Sequence, residues 1–286
     1  MKRIGELIAE RFFLLSALAS SSITIAILVF MVIMGLPMVR EGGLHQLLLT
    51  PWDPYRGSFG IYPMMAGTII ISLLSLLVAF PLSLGCSFLV AAIAPKPVRI
   101  WLRRIIELMT GIPTVIYGFV GIFLLVPVLR ELFQKGSGMC VLTAALTLGL
   151  MISPTMTLFF SDGFERIPVS YLNAADALGA SPTQKLIYVM LPAARKGILN
   201  GIILALGRAV GDTLIALMLA GNSAQVPGSV LDSARALTAH IALVIAADYE
   251  SPEFRSIFAC GVVLYLFIIV MTFVVRFISR MEESNG

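Results

Sequence analysis

The chain has 286 residues, 58% of them hydrophobic and 13% charged, with a mean hydropathy of +0.97 and a net charge of +4. Soluble domains carry about 25% charged and about 45–50% apolar residues, and a chain of this size cannot hide so much apolar surface in one aqueous core. An ordinary soluble enzyme is excluded, and an all-α integral membrane protein is predicted. The basic excess fits Lys and Arg in cytoplasmic loops rather than a nucleic-acid surface.

About 20 mostly apolar residues suffice to cross a bilayer, and six such runs are present. The first, about Leu14–Leu36, is too long for a cleaved leader and lacks a small-x-small site. A polar segment rich in Pro and aromatics, Pro37–Tyr62, reads as an interfacial loop. The second run is about Pro63–Ala94, followed by the basic loop Pro95–Arg104. The third, about Ile105–Leu129, is interrupted by Gly111, Pro113, Gly118, Gly121 and Pro127. The fourth is about Met139–Phe160, the fifth about Ile198–Ala220 and the last about Ser256–Ile278. A stretch around Ser233–Ala247 is too short to span and reads as a re-entrant or interfacial helix on the external side.

Under this scheme about 13 of the 20 Lys and Arg lie at the two termini and in the loops 95–104 and 161–197. The positive-inside rule therefore predicts both termini in the cytoplasm. The whole chain, 1–286, reads as one transmembrane domain. Its core is 59–278 and its large cytoplasmic loop is 161–197.

Catalytic chemistry is hard to find. Cys86, Cys140 and Cys260 lie in apolar runs with no metal-ligand or disulfide spacing, and His45 and His240 are far apart. The dipeptide Gly-Lys never occurs, so a P-loop is excluded. No acid–base cluster supports a membrane enzyme, so none is expected. A stand-alone secondary transporter or channel would predict inverted repeats, and no convincing internal repeat is seen. ATP-driven transport would need a separate ATPase chain carrying ATP and Mg, with no cofactor on this one.

Two segments carry the functional signal. In the 161–197 loop, Asn173-Ala174-Ala175-Asp176-Ala177-Leu178-Gly179 is followed after nine residues by Val189-Met190-Leu191-Pro192. It reads as a helix–turn–helix, with Asn173 as N-cap, Gly179 as the helix stop and Pro192 near the start of the next helix. The second segment is Gly207-Arg208-Ala209-Val210-Gly211-Asp212-Thr213 in the fifth span. An arginine at membrane depth costs at least about 2.5–3.5 kcal/mol, so it marks a functional candidate. On a continuous helix Arg208 and Asp212 share a face and can pair. Gly207 and Gly211 would let a neighbouring helix or a ligand approach.

The loop resembles the EAA loop of ABC-importer permeases, E-A-A-x3-G-x9-I-x-L-P, with Asn173 in place of Glu and Val189 in place of Ile. The fifth-span segment, ending in Gly221-Asn222, resembles the G-R-A-x-G-E-T-x-A…G-N signature of the PstC-type permease of phosphate importers. Asp212 replaces Glu, and Ala216 lies one position late. Glu107 to Gly118 is similar to the family's E-L-L-A-G-I-P-S-V-x-Y-G, and Phe59 to Thr68 also matches.

The resemblance implies a type I ABC-importer permease fold in the inner (cell) membrane. It also implies phosphate import by alternating access, with sulfate, molybdate or tungstate as the alternative oxyanions. The implied partners are a homologous PstA-type permease, two copies of a cytoplasmic ATPase and an external phosphate-binding protein. Asn173, Ala174, Ala175, Gly179, Leu191 and Pro192 would dock the ATPase. Arg208, Asp212 and Thr213 would line the pathway. Arg208 supplies charge to the anion and Asp212 accepts the proton that phosphate bears, unless the two form a fixed structural ion pair. Thr114, after Gly111-Ile112-Pro113, either lines the path or packs at a kink.

Overall fold

A computed structural model describes the backbone of residues 2–249 and 251–284. The described residues are mostly helical, with a hairpin of two-residue strands, β1 (Trp52–Asp53) and β2 (Ser58–Phe59), which turns at Gly57, and an irregular segment at 220–236. The helices are α1 (Lys2–Leu49), α2 (Tyr62–Phe88), α3 (Lys96–Thr110), α4 (Thr114–Val120), α5 (Val126–Phe133), α6 (Val141–Glu165), α7 (Val169–Ala177), α8 (Pro182–Lys185), α9 (Leu191–Ala193), α10 (Arg195–Gly211), α11 (Leu214–Leu219), α12 (Leu237–Val244) and α13 (Pro252–Ser284). Single π-turns continue α2 at 89–93, join α4 to α5 at 121–125 and join α8 to α9 at 186–190.

Among the described residues five stretches are long and apolar enough to cross a membrane: Glu10–Met38, Tyr62–Ile93, Thr114–Phe133, Val141–Glu165 and Pro252–Val274. The pair Pro182–Ala193 and Arg195–Gly211, bent by 75°, raises the number to as many as six. Four expected boundaries change: residues 37–49, read as loop, continue α1, and residues 96–104, read as a basic loop, lie in α3. The third crossing starts at Thr114 rather than near Ile105, because Gly111-Ile112-Pro113 breaks the helix. Proline removes an N–H and holds the preceding residue out of the α region. The fifth run, read as one span over 198–220, is two helices separated by Asp212 and Thr213.

α6 lies at the centre, packed against α2, α3 and α10. Met151, Ile152, Met156 and Phe160 on it are fully or almost fully enclosed. In lipid, apolar burial gives little drive for helix association, and close van der Waals fit takes its place. The sequence supplies that fit with small residues. Ser72, Ser75, Ala79, Ser83 and Ser87 recur every three or four positions on α2 and are all buried. Ser75 returns its hydroxyl hydrogen to the Ile71 carbonyl, and Ser83 donates across to the Ser153 carbonyl of α6. α1 is outermost: the apolar window within it has no buried residue, and it packs along α13.

At one end of the bundle Arg103 of α3 clamps the end of α6. Its guanidinium donates to both oxygens of Glu165 (2.9 and 3.0 Å), to Asp162 (2.9 Å) and to Glu107 (3.2 Å).

Candidate functional site: a broken span and a surface loop

α10 lies antiparallel on α6 at close range. A Cβ on Gly197 would fall 2.8 Å from the Gly163 Cα, and one on Gly201 would fall 2.9 Å from the Phe160 ring. Followed further along the pair, the same register brings Arg208 to Thr155. Arg208 Nη1 donates to Thr155 Oγ1 at 3.0 Å. Thr155 follows Pro154, inside α6. Pro154 has no N–H for the Leu150 carbonyl, and the Ser153 hydroxyl covers that carbonyl at 3.0 Å.

The helix carrying Arg208 stops at Gly211. Asp212 is extended (φ −71°, ψ 127°), and its Oδ2 accepts the Ile215 N–H at 2.8 Å. Its carbonyl accepts the Thr238 hydroxyl at 2.8 Å. The expected sharing of one helical face by Arg208 and Asp212 is therefore corrected. Among the described residues no ion pair joins them, because Asp212 serves as a cap for the orphan amides that begin α11. A fixed Arg208–Asp212 ion pair is set aside with it.

Gly207 and Gly211 face open space: a Cβ at either meets nothing within 4 Å. Among the described residues no helix uses them for close approach. The opposite holds beside the break, where α4 packs on α11. A Cβ on Gly118 would fall 2.7 Å from Met218 Sδ, and one on Gly121 would fall 2.6 Å from Leu219 Cδ1. These pairs set the two short helices side by side in the same sense. Thr114 opens α4 directly after the 111–113 break, and Thr213 stands before α11, so the two threonines begin neighbouring half-helices. Tyr117 donates its hydroxyl hydrogen back to the Met109 carbonyl (3.2 Å), across the 111–113 break.

On the far side of the break, the segment after α11 folds back over the bundle. Asn222 is left-handed (φ 59°) and donates to the Leu217 carbonyl at 2.6 Å. Arg235 donates from Nε to the Asn222 carbonyl at 2.9 Å and reaches His240 Nδ1 at 3.5 Å. His240 Nε2 lies 3.2 Å from Ser256 Oγ, whose hydrogen goes to the Glu253 carbonyl. Arg235 can only donate, so Nδ1 accepts and the imidazole is the neutral Nε2–H form. Burial, and then the Arg235 charge, lower the His240 pKa to about 4. α12 is the short helix expected here, and it is packed in rather than spanning.

The surface loop also differs in detail from its sequence reading. Asn173 is not an N-cap: α7 starts at Val169 and Asn173 sits inside it. The cap of the loop is Ser181, whose hydroxyl accepts the Gln184 N–H while the Gln184 side chain accepts the Ser181 N–H. This capping box is written in Ser181-Pro182-Thr183-Gln184. Gly179 is left-handed (φ 72°) and ends α7. Lys185 pairs with Asp176 across the turn. Tyr171, Ala174, Ala175, Leu178, Tyr188 and Val189 line one apolar groove, and Pro192 lines the adjoining one.

The residues missed from sequence are Thr155 and Thr238, which hold the two sides of the break. Ser153-Pro154-Thr155, a proline flanked by hydroxyls inside an apolar run, was the available signal for the first.

A helical membrane bundle with a broken span and a capped surface loop defines a transport subunit. Residues 83–282 match the family of binding-protein-dependent transport system inner membrane components, and the chain belongs to that family. It is 31% identical over 273 residues to a probable ABC transporter permease protein, YqgH, of Bacillus subtilis, covering 93% of this chain and 88% of that one. It is 32% identical over 261 residues to the phosphate transport system permease protein PstC of Xylella fastidiosa (strain Temecula1), covering 84% and 78%. Among solved structures, the MetNI methionine ABC transporter in an inward-facing conformation gives a TM-score of 0.59 at 19% identity, over 75% of this chain and 92% of that one. A bacterial alginate ABC transporter bound to its periplasmic protein gives 0.62 at 16% identity, over 95% and 96%. These likenesses establish the ABC-importer permease fold. The chain is an ABC importer permease subunit of the cell membrane, a transport component in a family of permeases that work with a partner permease, an ATPase and a binding protein.

Proposed function

We propose that this chain carries inorganic phosphate through the membrane as one half of a paired permease. The observation that carries the reading is Arg208. It sits in the last turn of α10, beside the break in the span, held by a neutral hydroxyl, and among the described residues no carboxylate forms an ion pair with it. A guanidinium so placed keeps donors for a tetrahedral oxyanion, which it binds in a bidentate fork. The resemblance to PstC proteins at about 30% identity supports phosphate as that anion.

Thr114 and Thr213 stand at the two neighbouring breaks and offer hydroxyls beside the path, while Asp212 takes up the amides that begin α11. Asp212 holds one of these breaks open and sets the depth of Thr213. The open face at Gly207 and Gly211 supports a pathway completed by a second, PstA-type permease. In the proposed assembly both termini are cytoplasmic, and two ATPase subunits bind ATP and Mg. Asn173, Ala174, Ala175, Gly179, Leu191 and Pro192 present the loop to those subunits. An external phosphate-binding protein delivers the anion, and the cycle is alternating access.

The test is labelled-phosphate uptake in cells lacking other phosphate systems, with and without this chain. Uptake that needs the chain, resists excess sulfate, molybdate and tungstate, and fails in a well-expressed Arg208→Gln variant supports the reading. Uptake unaffected by loss of the chain overturns it.

A further inference from the structure

We infer that Thr155 is the second ligand of the oxyanion, its hydroxyl hydrogen aimed at the anion by Arg208. The inference rests on the reading of Arg208 as a pathway residue. Several hydroxyls buried in the crossing helices share one fate. Thr68 gives its hydrogen to the Met64 carbonyl, Ser75 to Ile71, Thr147 to Thr143 and Thr157 to Ser153, each one turn back. Such back-bonding leaves nothing to offer a ligand. Thr155 breaks the pattern. Among the described residues its one hydrogen bond is the one it accepts from Arg208 Nη1.

A guanidinium donates and never accepts. The Arg208 N–H occupies one lone pair of Oγ1, so the Thr155 hydrogen must point away from the guanidinium. Among the described residues no protein group takes it. Ser153, two residues earlier, spends its own hydroxyl on the carbonyl that Pro154 leaves vacant. Its carbonyl is itself doubly occupied, by Ser83 and Thr157. The Thr155 hydroxyl, 3.0 Å from Arg208 Nη1 and only partly buried, thus keeps its hydrogen to offer beside the remaining N–H donors of the guanidinium. Cation and hydroxyl together present a charged fork and a neutral donor to one small tetrahedral anion, from two helices.

The experiment uses the complete importer in proteoliposomes with saturating external binding protein and labelled inorganic phosphate. Thr155→Val, which swaps hydroxyl for methyl at nearly constant shape, is expected to lower the transport rate about ten-fold in complexes assembled to the wild-type level. Thr155→Ser should restore it to within two-fold. In an Arg208→Lys background, Thr155→Val should still lower the residual rate. This separates a contact with the anion from mere positioning of the guanidinium. Wild-type rates in Thr155→Val, with Arg208→Gln inactive, would overturn this inference and leave the pathway reading standing. Equal losses in the Val and Ser variants, with poor assembly of both, would reduce Thr155 to a packing residue. Wild-type transport by Arg208→Gln would instead remove the pathway reading on which the inference stands.

Discussion

Thr238 donates its hydroxyl hydrogen to the main-chain carbonyl of Asp212 at 2.8 Å. That carbonyl lies where the fifth span is interrupted, so the far-side segment and the break are tied through one bond. α12 is held a second time by the Leu237 N–H, which donates to Thr68 Oγ1 on α2.

The capping role of Asp212 separates two chemistries. Asparagine caps helices about as well as aspartate, whereas alanine costs about 1 kcal/mol. We expect Asp212→Asn to keep most phosphate uptake and Asp212→Ala to lose most of it, with a lowered melting temperature for the purified complex. If the carboxylate itself takes the anion's proton, both variants fail alike in the uptake assay.

The surface loop should respond at Gly179 and Ser181. A side chain at φ 72° costs roughly 1–2 kcal/mol, and loss of the Ser181 cap costs about 1 kcal/mol. Gly179→Val is expected to weaken retention of the ATPase on the affinity-purified permease by more than Ser181→Ala does. Uptake should fall in the same order. Equal retention in both variants would remove the loop from the docking surface.

The Arg103 clamp is partly exposed, and exposed pairs are worth about 0–1 kcal/mol each. Arg103→Leu should lower the melting temperature by a few degrees in low salt and by less in high salt, where screening has already weakened the wild-type clamp. Phosphate uptake per assembled complex should change little.

His240 predicts an acid-side instability. Its folded pKa, about 4, is below its ordinary value of 6.5, because burial and then the Arg235 charge disfavour the imidazolium. Between those values the unfolded chain binds a proton that the folded chain refuses. Stability from this group is therefore complete above about pH 6.5 and is lost as pH falls toward 4. Melting scans from pH 7.5 to 4.5 should show the wild type losing several degrees more than His240→Gln.

Much of the architecture was legible because an apolar run announces itself at about 20 residues, and the crossing stretches follow those runs closely. The third run was misplaced at its start since α3 is apolar enough along one face to merge with it. The fifth was read as continuous because Arg208 and Asp212 have the i, i+4 spacing of an ion pair. Sequence spacing does not reveal that Asp212 turns to its own amides, three residues on. Arg208 itself was plain from cost alone. Thr155 was not, since a threonine in an apolar helix is ordinary until its hydroxyl partner is known, and that partner lies 53 positions away. The Ser181–Gln184 box was readable from its spelling and passed over in favour of Asn173.

The vacant surface over Gly207 and Gly211 has a genetic consequence. Among the described residues nothing lies within 4 Å of a methyl group at either position. Replacing Gly211 by a bulky residue should therefore leave the lone subunit folded and embedded, while injuring the assembled machine. Second-site revertants of such a lesion should map largely to the gene for the opposing permease, and their positions would trace the wall that this chain leaves for another to build.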